Sequence, residues 1–188
     1  LLTQKYGIVH YLSMVRRMQL IAQPIVEKEG GEVVKFEADN CFAMFDSVLA
    51  AVQAAIALNR AFDEINVYTA DQFDIRVAIG IDFGDVLLIG GPDYFGDTVN
   101  TASRIEHHAL KEQVLVSRST WNELAGAGFG IKLPPISVRN KAEPLSLCAL
   151  AATISASTEP ADTETSWSGS PTSTSVALSA SASSSARM

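Results

Sequence analysis

The feature that most constrains this chain is the way its apolar residues change period. Ile8, Leu12, Val15, Met18, Ala22 and Ile25 recur at steps of three and four, the stripe of an amphipathic helix. Pro24 falls near the end of that stripe, where it kinks the helix or marks its last turns before Gly30-Gly31. Farther on, Ile75, Val77, Ile79 and Ile81 alternate strictly, as one face of a half-buried strand does. Between them lie two short strand candidates, Glu32 to Phe36 and Cys41 to Phe45, around the polar link Glu37-Ala38-Asp39-Asn40. A second helix follows from Ser47 to Phe62. After the alternating run, Gly84 reads as a turn into a further strand, Val86 to Ile89. A third helix is expected from Asp97 to Ala109 with Asp97 as its cap. Gln113 to Val116, a short helix capped by Ser117 or Ser119, and strands at Gly130 to Val138 and Leu145 to Leu150 complete the body. Helix, hairpin, helix, hairpin, helix, strand is an α+β order with a largely antiparallel sheet. A split βαβ unit opens with a strand, and here none precedes the first helix.

Composition divides the chain near residue 151. Between Ala151 and Met188, 12 serines and 6 threonines leave few large apolar side chains. So little apolar surface cannot offset ordering entropy, and the segment is expected to be a disordered tail behind a domain of residues 1–150. The net charge of −7 lacks the basic stripe that displaces counterions from nucleic acid. The apolar run from Val48 to Leu58 is too short for the ~20 residues that span a bilayer. Cys41 and Cys148 make no metal or disulfide spacing and read as core residues of a cytoplasmic protein. The chain opens Leu1-Leu2-Thr3-Gln4, without methionine, and is expected to be a piece of something longer.

Each polar candidate has a plain structural role available. Lys35 suits a solvated strand position, and Asp39 and Asp93 suit turns. Asn100 and Arg104 are four residues apart and share a helix face just beyond a glycine-rich approach, Gly90-Gly91-Pro92-Asp93-Tyr94-Phe95-Gly96. An arginine aimed at such a loop suits a phosphate, its donors being fixed and permanently charged.

Together, these residues resemble a known pattern. The stretch Gly30-Gly31-Glu32-Val33-Val34-Lys35-Phe36-Glu37-Ala38-Asp39-Asn40-Cys41-Phe42-Ala43-Met44-Phe45 is similar to the substrate- and metal-binding hairpin of class III adenylyl/guanylyl cyclase catalytic domains. Val77 to Val86 and Asp93 to Arg104 resemble that family's second hairpin and following helix. The resemblance implies a ferredoxin-like (βαββαβ-type) fold lacking its first, central strand. It implies that Asp39 is one of two aspartates holding two Mg2+ or Mn2+ ions per site, and that Lys35 and Asp93 read the purine. By the same resemblance Asn100 orients the ribose, Arg104 stabilises the pentavalent α-phosphate, and a homodimer builds each site from both chains. Lysine with aspartate complements adenine, so the implied reaction is ATP to cyclic AMP and pyrophosphate. The alternatives are a guanylyl cyclase and a catalytically silent, nucleotide-binding dimerisation module. Without the first strand and its aspartate, the 188 residues are expected to be inactive and to leave two strands unpartnered. Ala38 stands where the family has glycine.

Overall fold

The structure is a computed structural model that describes residues 7–88, 94–124, 130–137, 143–150 and 172–184. Helix α1 (Ile8–Lys28) contains Pro24 and turns its Met14, Val15, Met18, Ala22 and Val26 inward. Strands β1 (Glu32–Glu37) and β2 (Asn40–Phe45) form the expected hairpin, with a register shift between Val33 and Lys35. Helix α2 (Val48–Asn66) is capped by Ser47, whose hydroxyl accepts from the Ala50 amide. Buried Asn66 ends it by exchanging two 2.9 Å hydrogen bonds with the backbone of Ile75.

Ile75 opens β3 (Ile75–Leu88), a single strand of 14 residues. The expected turn at Gly84 is absent. A Cβ there would come 2.8 Å from Thr98 Oγ1, so this glycine serves close helix approach rather than chain reversal. The short β4 (Tyr94–Phe95) pairs with the end of β3 and leads to helix α3 (Asp97–Glu106). Gly96, not Asp97, is the N-cap of α3, and the helix ends three residues before Ala109. Then come β5 (Val114–Ser117), the short helix α4 (Arg118–Glu123) capped by Ser117, β6 (Gly130–Lys132) and β7 (Leu147–Leu150). The strand expected from Gly130 to Val138 is thus three residues long, followed by an isolated bridge from Ile136 to Leu145.

The largest departure is β8 (Thr172–Ser184). This part of the expected disordered tail is an interior strand of the sheet, between β2 and β3 in the order β1-β2-β8-β3-β5-β7-β6. It runs antiparallel to β2 from Asn40↔Ser181 to Phe45↔Val176 and to β3 from Ile75↔Ser184 to Leu87↔Thr172. The opening expected between the two hairpins is therefore closed, and the neighbours of β8 are not edges. Its composition permits this because the slot is narrow. Small Ala and Ser side chains fit under two helical layers, and the neighbours supply most of the apolar mass. The rest of the expected tail, and the link from residue 151 to 171, lie outside the described residues.

The two faces of the sheet differ. Val77, Ile79, Ile81, Cys41, Ala43, Phe45, Val176, Leu178 and Ala180 form one core with α1 and α2. On the opposite face Met44, Val86 and Ala177 meet Ala102 of α3, with Val34 and Val99 packed against them. Gly80 sets that contact: a Cβ would lie 2.3 Å from both Ala102 O and Glu106 N, so α3 rests its backbone directly on the sheet.

Candidate active site

The β1–β2 turn carries the first group of candidates. Ala38 has φ 53°, the left-handed region that L side chains enter at a cost, which is where a glycine would be at ease. Asp39 follows, half-buried, its carbonyl accepting from the Ala182 amide of β8 at 2.9 Å. Tyr11 Oη donates to Asp39 Oδ1 across a long 3.5 Å. Burial, and then the charge of Asp39, push the Tyr11 hydroxyl above its ordinary pKa. Lys35 is exposed on β1. It pairs with Glu37 at 2.9 Å, and its ammonium lies 5.1 Å from the centre of the Phe42 ring. An exposed pair of this kind holds the chain weakly and leaves the ammonium free to exchange partners.

Helix α3 carries the second group. Gly96 at φ 156° turns the chain into it, and Asn100 Nδ2 donates to the Gly96 carbonyl at 3.3 Å while the side chain stays exposed. Arg104 is half-buried, one turn on, with no hydrogen bond or ion pair among the described residues. Asp93 lies outside the described residues.

The two groups share an apolar patch rather than polar contacts. Val34 and Met44 of the hairpin meet Val99 and Ala102 of α3, while no hydrogen bond or ion pair joins Lys35 or Asp39 to Asn100 or Arg104 among the described residues. For a divalent cation the described residues at the turn offer Asp39 and, at the end of β1, the exposed Glu37 that pairs with Lys35, and no cluster of three His, Cys, Asp or Glu occurs among the described residues. Magnesium accepts one or two protein carboxylates together with substrate phosphates and water, so Asp39 fits one such ion. The expected pair of ions needs a further donor, and β8, beside this turn, carries only Ser, Thr, Ala, Val and Leu.

Reasoning from sequence missed two polar residues and one cleft. Glu106, 5 % exposed, lies under α3, accepts from the Ser181 hydroxyl through Oε1, and has Oε2 3.2 Å from His107 Nδ1. A carboxylate next to the buried stripe of Thr98, Thr101, Ala102 and Ile105 was the available signal. His107 itself is exposed at the end of the helix. A cleft of about 530 Å³ opens on the far side of α3, lined by Asp82, Asp85, Asp97, Thr101, Arg118 and Ser119 among others.

Comparison with known proteins gives this geometry a context. Residues 31–144 match the model of the adenylate and guanylate cyclase catalytic domain. "Putative adenylate cyclase 3" of Rhizobium meliloti (strain 1021) is 34 % identical over 108 residues, 57 % of this chain and 18 % of that protein. "Guanylate cyclase soluble subunit beta-2" of Homo sapiens is 44 % identical over 63 residues, 30 % of this chain and 10 % of that protein. The chain thus spans less than a fifth of the length of these curated relatives. Among solved structures, an adenylate/guanylate cyclase/hydrolase from Silicibacter pomeroyi superposes with a TM-score of 0.66 at 26 % identity, covering 77 % of this chain and 89 % of that one.

Proposed function

Because the chain belongs to the adenylate and guanylate cyclase catalytic-domain family, we propose that it converts ATP into 3′,5′-cyclic AMP and pyrophosphate. The observation that carries this reading is Arg104, a half-buried guanidinium one turn beyond Asn100 and unpaired among the described residues. A permanently charged donor kept without an anion has its use when charge develops on a phosphate.

The chemistry is an in-line displacement. The ribose 3′-oxygen bonds to the α-phosphorus, the bond from that phosphorus to the bridging oxygen of pyrophosphate breaks, and the 3′-hydroxyl proton leaves to solvent. Arg104 donates to the α-phosphate oxygens as they gain charge. Asn100 presents an exposed amide to the ribose. Lys35 exchanges Glu37 for the adenine N1 acceptor, and Asp93 accepts from the 6-amino group. A divalent cation at Asp39, Mg2+ or Mn2+, would neutralise the departing phosphates. Turnover by the 188 residues is expected to be slow, since among the described residues of that turn the carboxylates are Asp39 and the exposed Glu37. We propose as a second part of the reading, on the family resemblance of these residues alone, that the working unit is a homodimer in which Asp39 of one chain serves the site of Lys35, Asp93, Asn100 and Arg104 of the other.

The test is product formation from ATP and GTP with either cation, followed by chromatography of the cyclic nucleotide. Cyclic AMP is expected from ATP, and Arg104→Ala is expected to lower its rate by about 10²–10³ with thermal unfolding unchanged. Equal or faster cyclic GMP formation would make the protein a guanylyl cyclase. Nucleotide binding with neither product would make it a silent module.

A further inference from the structure

Two serines stand two residues apart on the face of β8 that α3 covers, and the fold uses only one of them. Ser179 is fully buried opposite Gly80 and Phe42, and its hydroxyl has no hydrogen-bond partner among the described residues. Ser181, opposite Ala78 and Asn40, donates to the buried carboxylate of Glu106 in the last turn of α3. The amide of the very next residue, Ala182, donates to the carbonyl of Asp39 in the β1–β2 turn. Adjacent residues of one strand therefore hold both candidate groups: a side chain fastens the helix of Asn100 and Arg104, and a backbone amide fastens the turn of Asp39.

The helix has little freedom at this point. With its backbone against Gly80, α3 has no depth in which Glu106 could retreat, and the carboxylate is 6 % exposed in its side chain. A buried carboxylate oxygen deprived of its donor is costly, so loss of the Ser181 hydroxyl drives the last turn of α3 outward. Arg104 lies two residues before Glu106 and moves with it.

We infer that Ser181 and Glu106 are positioning residues, locking the helix of Arg104 and the turn of Asp39 onto a single point of β8. The catalytic consequence rests on the cyclase reading; the lock itself does not. In the shared-site arrangement the Asp39 and Arg104 of one chain face different sites, so disturbing this point impairs both.

The experiment uses the whole chain and three variants: Ser181→Ala, Ser181→Thr and, as a control on the same face, Ser179→Ala. Hydrogen exchange is followed in peptides covering residues 37–41 and 104–108, beside kcat and KM for ATP. Ser181→Ala is expected to speed exchange about tenfold in both peptides and to lower kcat about tenfold with KM nearly unchanged, the effect of one lost hydrogen bond to a charged group. Ser181→Thr retains the hydroxyl and is expected to restore both, and Ser179→Ala to change neither. Loosening of only one peptide, or equal behaviour of Ser181→Ala and Ser179→Ala, overturns the inference. If Ser181→Ala does not fold, Glu106→Gln and Glu106→Met ask the same question, because the amide still accepts and the thioether does not. Glu106→Met must then loosen both peptides while Glu106→Gln spares them; any other pattern overturns the inference. If the parent makes no cyclic nucleotide, the cyclase reading fails and the exchange data alone decide the lock.

Discussion

Strands β3 and β8 lie side by side in the middle of the sheet, nearly equal in length and unlike in substance. Toward the core, β3 presents Ile75, Val77, Ile79 and Ile81, whereas β8 presents Val176, Leu178, Ala180 and Ala182. Their cross-strand partners include Ile79↔Ala180 and Val77↔Ala182. At about 0.8 kcal/mol per buried CH₂, the alanines contribute far less burial than their partners. The strand character of β3 resides in its own side chains. That of β8 resides in the slot, where β3 along its whole length and β2 over Val176 to Ser181 offer backbone hydrogen bonds to a run in which Val176 and Leu178 are the large apolar residues.

The most severe way to test this contrast is to remove β8. A chain ending at residue 171 is expected to lose its cooperative thermal transition and to associate through the bared β2 and β3, read by light scattering. An unchanged transition in a monomer would mean that β8 contributes nothing to the sheet. At single residues the contrast becomes graded. Ile79→Ala is expected to cost about 2–5 kcal/mol in denaturant unfolding, whereas Ala180→Gly directly opposite should cost about 1 kcal/mol. Equal costs would erase the distinction between the two strands.

Smaller effects report on the end of β8. Ala38 holds a left-handed conformation in the turn that Ala182 fastens, so Ala38→Gly is expected to raise stability by about 1 kcal/mol. A loss of stability would show that the strain is absent. Cys41, opposite Ala180, is buried, and burial pushes its thiol up to about 12 from an ordinary 9.0. The folded protein therefore holds this proton more tightly than the unfolded chain. Its contribution to stability is complete below pH 9 and falls away as pH rises toward 12. Unfolding midpoints measured across that range should decline less in Cys41→Ala. Identical declines would mean that another group governs alkaline unfolding.

Much of this architecture is legible in the sequence wherever a segment carries its own period. The stripe of α1, the β1–β2 hairpin and the Ile75–Ile81 alternation lie at their expected places, and α2 starts one residue late and runs four residues beyond its expected end. Gly84 misled because a glycine inside a strand pattern can signal either a turn or a close approach, and the deciding atom, Thr98 Oγ1, lies on another element. The strand in 172–184 was hidden by its low apolar content, although Val176, Leu178, Ala180 and Ala182 alternate with Ala177, Ser179, Ser181 and Ser183 at period two. Asn100 and Arg104 fall on one helix as their spacing requires. Glu106 escaped notice because its role depends on Ser181, 75 residues away.

Substrate choice is the most direct test of the proposed function, and it can be read without turnover. Analogues lacking the 3′-hydroxyl cannot cyclise, so titration calorimetry with 3′-deoxy-ATP and 3′-deoxy-GTP compares recognition of the base alone. Lys35 with Asp93 matches the hydrogen-bond polarity of adenine and opposes that of guanine. The adenine analogue is expected to bind about tenfold more tightly or better, and Lys35→Glu with Asp93→Cys to abolish that preference. Equal affinities, or tighter binding of the guanine analogue by the unaltered chain, would contradict the assignment of ATP as substrate.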